Sequence, residues 1–199
     1  MEFKDIINES YTVKRFTGGQ LSNEKVNELF EIIIMSSSSF GLQPYKIKVI
    51  KGSKLKEKLS KFSLDKEQII SCSHLLVFCA NTDLDCQIEN YELLMREEEI
   101  PEEKIQSYLH RVKNFVNNLH FEEKLSWAQR QTYIAIANAI SGAKSLGFDS
   151  YLIEVFQTEK LKKALDLPYD LFPTALVAIG ISEDKNPEKI RFNKKDIFF

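Results

Sequence analysis

Two short, unbroken apolar runs, His74 to Ala80 and Thr174 to Ile181, place the strongest constraint on how this chain can fold. Both are rich in β-formers, and neither alternates polar with apolar residues. Runs of that length and kind read as strands buried on both faces. Two further stretches read as strands of another sort. Tyr45 to Ile50 alternates Ile47 and Val49 with Lys46 and Lys48, so one face is solvated or covered by something polar. Ser150 to Ile153 is short and strand-like.

The remainder is mostly helical in pattern. Phe3, Ile6 and Ile7 mark a short amphipathic helix ending near Ser10. Ser22 is a natural N-cap for a second helix carrying Val26, Leu29, Phe30, Ile33 and Ile34, with Glu24 in its first turn. Residues 53–61 form a basic amphipathic helix with Leu55, Leu59 and Phe62 inward, and a further helical turn runs from Lys66 to Ser71. Helices over 84–97 and 102–118 follow, with Pro101 suited to an N1 position and the intervening glutamates forming a solvated rim. A long helix from Glu122 to Leu146 ends at Gly147, and a last one runs from Thr158 to Leu167, stopped before Pro168. No repeat, low-complexity linker or boundary divides the chain. The expectation is one α+β domain over residues 1–199, with a central mixed or antiparallel sheet of about four strands flanked by helices.

Along the long helix, Leu125, Ala128, Thr132, Ala135, Ala139, Gly142 and Ala143 recur at helical spacing. Small side chains on one face let another helix approach closely. That neighbour is either within the chain or, the favoured reading, across a dimer seam. The tail from Ser182 ends Ile197-Phe198-Phe199, three large apolar residues that have little reason to stay in water, so it is expected to pack on a partner subunit.

Composition excludes several classes. A formal charge of −2 argues against nucleic-acid binding, although a local basic cluster could hold one phosphate. Cys72, Cys79 and Cys86 cannot all pair within one chain, form no C-x-x-C and have no histidine at ligand spacing; reduced thiols in a cytoplasmic protein are the expectation, with no metal. The first residues lack a signal-like apolar region, and the longest apolar run is too short to cross a bilayer. The glycines build no G-x-G-x-x-G, Gly147 is followed by Phe148 where a P-loop needs lysine, and neither G-x-S-x-G nor H-E-x-x-H occurs. His74, His110 and His120 are scattered and read as structural.

One polar stretch stands out, Ser36-Ser-Ser-Ser-Phe-Gly-Leu-Gln-Pro-Tyr45. Four consecutive hydroxyls compete for backbone hydrogen bonds and end the preceding helix. Gly41 frees the backbone, and Pro44 biases Gln43 toward an extended conformation. Such a turn is either an ordinary connection or a donor-rich seat for a planar polar ligand.

This stretch resembles the S-P-S-S-x-x-x-Q-P-W segment of the FMN-dependent nitroreductase family, with Ser37 for the proline and Tyr45 for the tryptophan. Three further segments resemble the same family in the same order. Ser10-Tyr-Thr-Val-Lys-Arg-Phe16 is similar to R-x-S-x-[RK]-x-F, with Ser10 in place of arginine. Asp65 to Ala80 is similar to the region ending in the family's central strand, where Asp65 and Gln68 stand at positions of an amide or basic side chain near the flavin pyrimidine. Gly147 to Phe156 is similar to G-x-x-x-x-P-I-[EG]-G-F, with Val155 for glycine. Lys189-Ile-Arg191 matches K-x-R. The likeness spans about residues 5 to 192 and lies nearest the oxygen-insensitive nitroreductases and dihydropteridine-reductase-like members.

The resemblance implies a nitroreductase-like fold in a homodimer, with a C-terminal arm (about 182–199) exchanged and FMN between the subunits. It implies FMN contacts at Ser10, Tyr11, Thr12, Lys14, Ser37, Ser38, Ser39, Gly41, Gln68, Ile153, Glu154, Val155, Lys189 and Arg191. Main-chain N–H groups of Glu154 and Val155 would meet the flavin edge; Glu154 as a general acid is an alternative. Lys14, otherwise a surface lysine, would join Lys189 and Arg191 in a phosphate cradle and stabilise negative charge on the flavin. No side chain is implied as the catalyst itself. Tyr108, Phe115 and Phe121 are candidates for a substrate lid. The implied activity is NAD(P)H-dependent reduction of nitroaromatics, quinones or similar electron-poor acceptors by a ping-pong hydride mechanism. The rivals are a flavin-binding member with little turnover and a non-enzymatic helical interaction protein.

Overall fold

The two apolar runs lie side by side at the centre of a four-stranded sheet in the computed structural model, which describes residues 2–183 and 188–198. The strands are β1 (Tyr45–Ile50), β2 (His74–Asn81), β3 (Asp149–Ile153) and β4 (Leu171–Gly180), in the order β1-β2-β4-β3. Every pairing is antiparallel, which decides between the two expected arrangements. The helices are α1 (Phe3–Glu9), α2 (Asn23–Ile34), α3 (Ser53–Ser60), α4 (Lys66–Ser71), α5 (Leu84–Glu97), α6 (Glu102–Asn117), α7 (Phe121–Ser145) and α8 (Thr158–Ala164).

All of β2 is buried because both of its faces are covered. Alternate side chains point to opposite faces of a strand. Leu76 and Phe78 therefore join Val177 and Ile179 beneath α2 and α7, with Leu29, Ile33, Ala135 and Ala139. Leu75, Val77 and Cys79 join Leu176 and Ala178 beneath α3, α4 and α8, with Leu59, Ile69 and Leu161. A third cluster at the side packs α5 and α6 against the start of α7 through Ile88, Tyr108, Val112, Val116 and Trp127.

Several expectations are corrected. The small-residue face of α7 is not a seam between subunits: Ala128, Thr132, Ala135, Ala139, Gly142 and Ala143 are buried within the chain. A Cβ on Gly142 would lie 2.9 Å from Leu29 Cδ1 and 3.0 Å from Ile32 Cγ2, so α2 occupies that face. β4 begins three residues earlier than Thr174, because a bulge opposite Phe78 and Cys79 admits Pro173, which cannot donate to a ladder. The Ala80 N–H turns to Thr174 Oγ1 there, at 3.3 Å. α8 stops at Ala164, before Pro168 can act, because Asp166 turns left-handed (φ 49°). The Leu167 and Asp166 N–H groups close that end on the Lys162 and Lys163 carbonyls. Pro101 is the N-cap of α6, not its first residue. Gln43 is not extended: its φ is 44°.

Other local readings hold. The Ser22 side chain caps α2 by accepting from the Lys25 N–H, and Gly147 (φ 80°) closes α7. In α1 only Ile6 is buried, while Phe3 and Ile7 stay exposed. Among the described residues no helix is long and apolar enough to cross a membrane. Of the expected C-terminal arm, residues 184–187 and Phe199 lie outside the described residues.

Candidate functional site

A cleft of about 260 Å³ opens where four separate parts of the chain meet. Ser10, Tyr11 and Thr12 come from the segment after α1, Ile140 from α7, Ser150, Tyr151 and Leu152 from β3, and Lys189 and Arg191 from the tail. The tail is held in place by Lys189 Nζ, which donates to the Ile7 carbonyl at the end of α1. Lys144, beside the cleft, pairs with Asp149 at 3.3 Å and sits 5.5 Å from the Tyr11 ring centre. Burial and the positive charges of Arg191 and Lys144 hold the Lys189 ammonium below the ordinary lysine range. Crowded cations of this kind suit an anion such as a phosphate.

Ser10 fits less simply. Its hydroxyl donates back to the Ile6 carbonyl at 2.6 Å, so that proton is committed to closing α1. Lys14 is exposed and does not line the cleft; Lys144 is the third cation beside it. No sequence signal marked Lys144, because only the packing of the last turn of α7 against Tyr11 and β3 brings it there.

Next to the cleft, β3 carries the chain into Glu154 and Val155. Ile153 is fully buried, whereas Glu154 and Val155 are exposed. The segment 62–65 fixes this exit: Ser63 Oγ donates to the Val155 carbonyl at 3.0 Å, and the Gln157 N–H donates to Phe62 at 2.7 Å. Tyr151, lining the cleft, donates its hydroxyl to Asp65 at 2.9 Å. Gln68 is half-buried on α4. The Glu154 carboxylate accepts from the Tyr133 hydroxyl, and burial together with that carboxylate pushes the Tyr133 phenol up to about 12. Burial, then Asp65, likewise raises the Tyr151 phenol.

The serine turn forms a separate surface further along α7. Ser37 and Ser39 are exposed and Ser38 half-buried. Three residues of the turn are left-handed: Phe40 (φ 59°), Gly41 (φ 71°) and Gln43 (φ 44°). Such backbone needs support, since it is disfavoured for every residue except glycine. The support comes from buried and half-buried side chains. Gln131 Oε1 accepts the Ser39 N–H at 2.8 Å, and the Tyr108 hydroxyl donates to the Phe40 carbonyl at 3.0 Å. Gln87 donates to Leu42 and Gln43, and Asn138 donates to Ser36 Oγ. Ser37, Ser38, Ser39 and Gly41 do not line the cleft that holds Lys189 and Arg191.

The lid candidates divide. Tyr108 is buried, and Phe115 packs at a tilt against Phe40 (5.3 Å between ring centres) and Trp127 (5.4 Å). Phe121 lies apart, half exposed, edge-on to Phe172 at 5.7 Å. Sequence reading missed Gln131, although a signal existed: it is a polar residue on the inward, small-residue face of α7.

A family model described as "Nitroreductase family" matches residues 7–181. YfkO of Bacillus subtilis, which carries an NAD(P)H nitroreductase name, is 30% identical over 180 residues, covering 83% of this chain and 81% of its own. The oxygen-insensitive NADPH nitroreductase of Helicobacter pylori is 27% identical over 203 residues, covering 97% and 93%. A crystal structure from Exiguobacterium sibiricum, solved in complex with FMN, superposes with a TM-score of 0.90 at 17% identity, covering 99% of this chain and 96% of its own.

Proposed function

We propose, from the premise that the chain belongs to the nitroreductase family, that it is an FMN-dependent NAD(P)H oxidoreductase acting on electron-poor acceptors such as nitroaromatics and quinones. The observation that carries this reading is the convergence of Ser10, Tyr11 and Thr12 with Lys189 and Arg191 around one cleft. The donor set fits FMN: two cations for a phosphate, with Thr12 and Ser150 beside them for a polyhydroxyl chain.

Lys189 and Arg191 hold the phosphate, with Lys144 adding positive field from the end of α7. Main-chain N–H groups of Ile153, Glu154 and Val155 and the Gln68 amide would hold the ring system, and Lys14 would favour negative charge there. Ser37, Ser38, Ser39 and Gly41 belong to the same site and reach it from a second subunit. The chemistry supplied by bound FMN is two-electron transfer from NAD(P)H to the acceptor in two half-reactions, the ping-pong order. Fixed backbone dipoles aimed at developing charge need no reorganisation during the reaction. Of the lid candidates, half-exposed Phe121 borders the acceptor's approach, while Phe115 and Tyr108 back the serine turn.

A homodimer with an exchanged C-terminal arm accounts for side chains the single chain leaves in water. Ile190 is 91% and Phe192 83% exposed, and Phe3 and Met35 are also open. The three free thiols agree with a reducing cytoplasm.

Purified protein should be yellow, and its flavin bands should bleach on anaerobic addition of NADH or NADPH and return with a quinone. Colourless protein that takes up no added FMN would sink the reading. Flavin that no nicotinamide nucleotide reduces would leave a flavin-binding member with little turnover.

A further inference from the structure

We infer that Gln131 is a positioning residue, which with Tyr108 clamps the serine turn in its left-handed form before any ligand arrives. The inference rests on the proposed function, because it assigns a purpose to the turn that reading places against FMN.

Phe40 is the least expected residue of the turn. A bulky side chain at φ 59° persists only where its surroundings over-determine it. Here the backbone is gripped on both sides of Phe40, at the peptide group entering Ser39 and at the one leaving Phe40. On one side the Ser39 N–H reaches Gln131 Oε1 at 2.8 Å; on the other the Phe40 carbonyl receives the Tyr108 hydroxyl at 3.0 Å. Both gripping residues are buried, with Gln131 7% and Tyr108 8% exposed. The Phe40 ring is held as well, against Phe115, which is itself backed by Trp127. Behind Gly41 there is no space: a Cβ there would lie 2.7 Å from the Tyr91 hydroxyl.

All of these grips come from α5, α6 and α7, leaving Ser37 and Ser39 exposed. An arrangement that constrains one side and leaves hydroxyls on the other is suited to binding. If the bound form of a turn is populated only in part, apparent affinity falls by that fraction. Gln131 and Tyr108 hold the population near one, so that affinity is not lost to ordering the turn.

The test uses the full-length chain, stripped of flavin and retitrated with FMN by fluorescence quenching. Gln131→Leu keeps the volume and removes the acceptor; Gln131→Glu keeps an acceptor for the Ser39 N–H. Gln131→Leu should weaken FMN binding by at least about tenfold, equivalent to about 1.4 kcal/mol. Gln131→Glu should stay within about threefold of the parent, below the scale of a lost buried hydrogen bond. In flavin-free protein, amide exchange at Ser39 should quicken in Gln131→Leu and not in Gln131→Glu. Parent-like affinity and exchange in Gln131→Leu would overturn the inference, as would equal losses in both variants, which would show that helix packing alone matters. Should Gln131→Leu fail to fold, Tyr108→Phe removes one hydroxyl and carries the same test: weaker FMN binding at an unchanged melting midpoint supports the clamp, and unchanged affinity overturns it. A parent protein that binds no FMN would refute the proposed function alone, leaving the exchange measurement to judge the clamp.

Discussion

The Tyr151 hydroxyl donates to the Asp65 carboxylate at 2.9 Å, tying the strand that lines the cleft to the segment before α4. The resemblance places an amide or a cation at this position, and the tyrosine explains how a carboxylate is tolerated there: it has a donor to accept from. Asp65→Asn keeps an acceptor for Tyr151, removes a negative charge beside the cleft proposed to hold the phosphate and adds two donors. FMN affinity should rise, by roughly threefold to tenfold for one charge acting at partly screened range. A titration showing weaker binding would mean that the carboxylate itself contacts the ligand favourably.

Lys189 and Arg191 line the cleft together. Charge-assisted hydrogen bonds contribute about 1.5–3 kcal/mol each. Replacing both residues with alanine should weaken FMN retention by at least about a hundredfold and flatten its dependence on salt. Equal affinity and equal salt dependence would place the phosphate elsewhere.

His74 should make the fold acid-sensitive. It is 1% exposed, its Nδ1 meets Ser73 Oγ at 2.8 Å, and its Nε2 is buried with no partner among the described residues. Burial, then the charges of Lys51 and Lys56, lowers its pKa from 6.5 to about 4. A lowered folded-state value means the fold favours the neutral ring. That stabilisation is complete above about pH 6.5 and is lost as pH falls toward 4, on the order of 3 kcal/mol in all. Denaturant unfolding of the parent and of His74→Leu should diverge in slope over this window and run parallel above it. Parallel curves throughout would show that His74 does not titrate with folding.

Two glycines separate backbone strain from collision. Gly147 has φ 80° with nothing near its missing Cβ, whereas Gly41 has φ 71° with the Tyr91 hydroxyl 2.7 Å away. Gly147→Ala should cost about 1–2 kcal/mol, the price of a left-handed residue with a side chain. Gly41→Ala should cost more, because Tyr91 must also move from its contact with Tyr108. Melting midpoints in the reverse order would contradict the packing around the turn.

The seats of most elements follow from local pattern. The spans of α4 and α5, the cap at Ser22 and the strand at His74 are legible because periodicity, capping and burial on both faces are properties of neighbouring residues. Of the misread boundaries, one had a cause outside that range and another a local one. The early start of β4 depends on a bulge across from Phe78 and Cys79, and the end of α8 on an aspartate turned left-handed.

Local sequence determined the helices, the two covered strands and the segments that carry the family resemblance, since each is encoded within a few residues. Tertiary structure alone decided that the small face of α7 receives α2, that Lys144 stands beside the cleft, and that Gln131 reaches Ser39. These pairings join residues far apart in the chain, and only the packing of helices around a filled sheet brings them within hydrogen-bond or van der Waals distance.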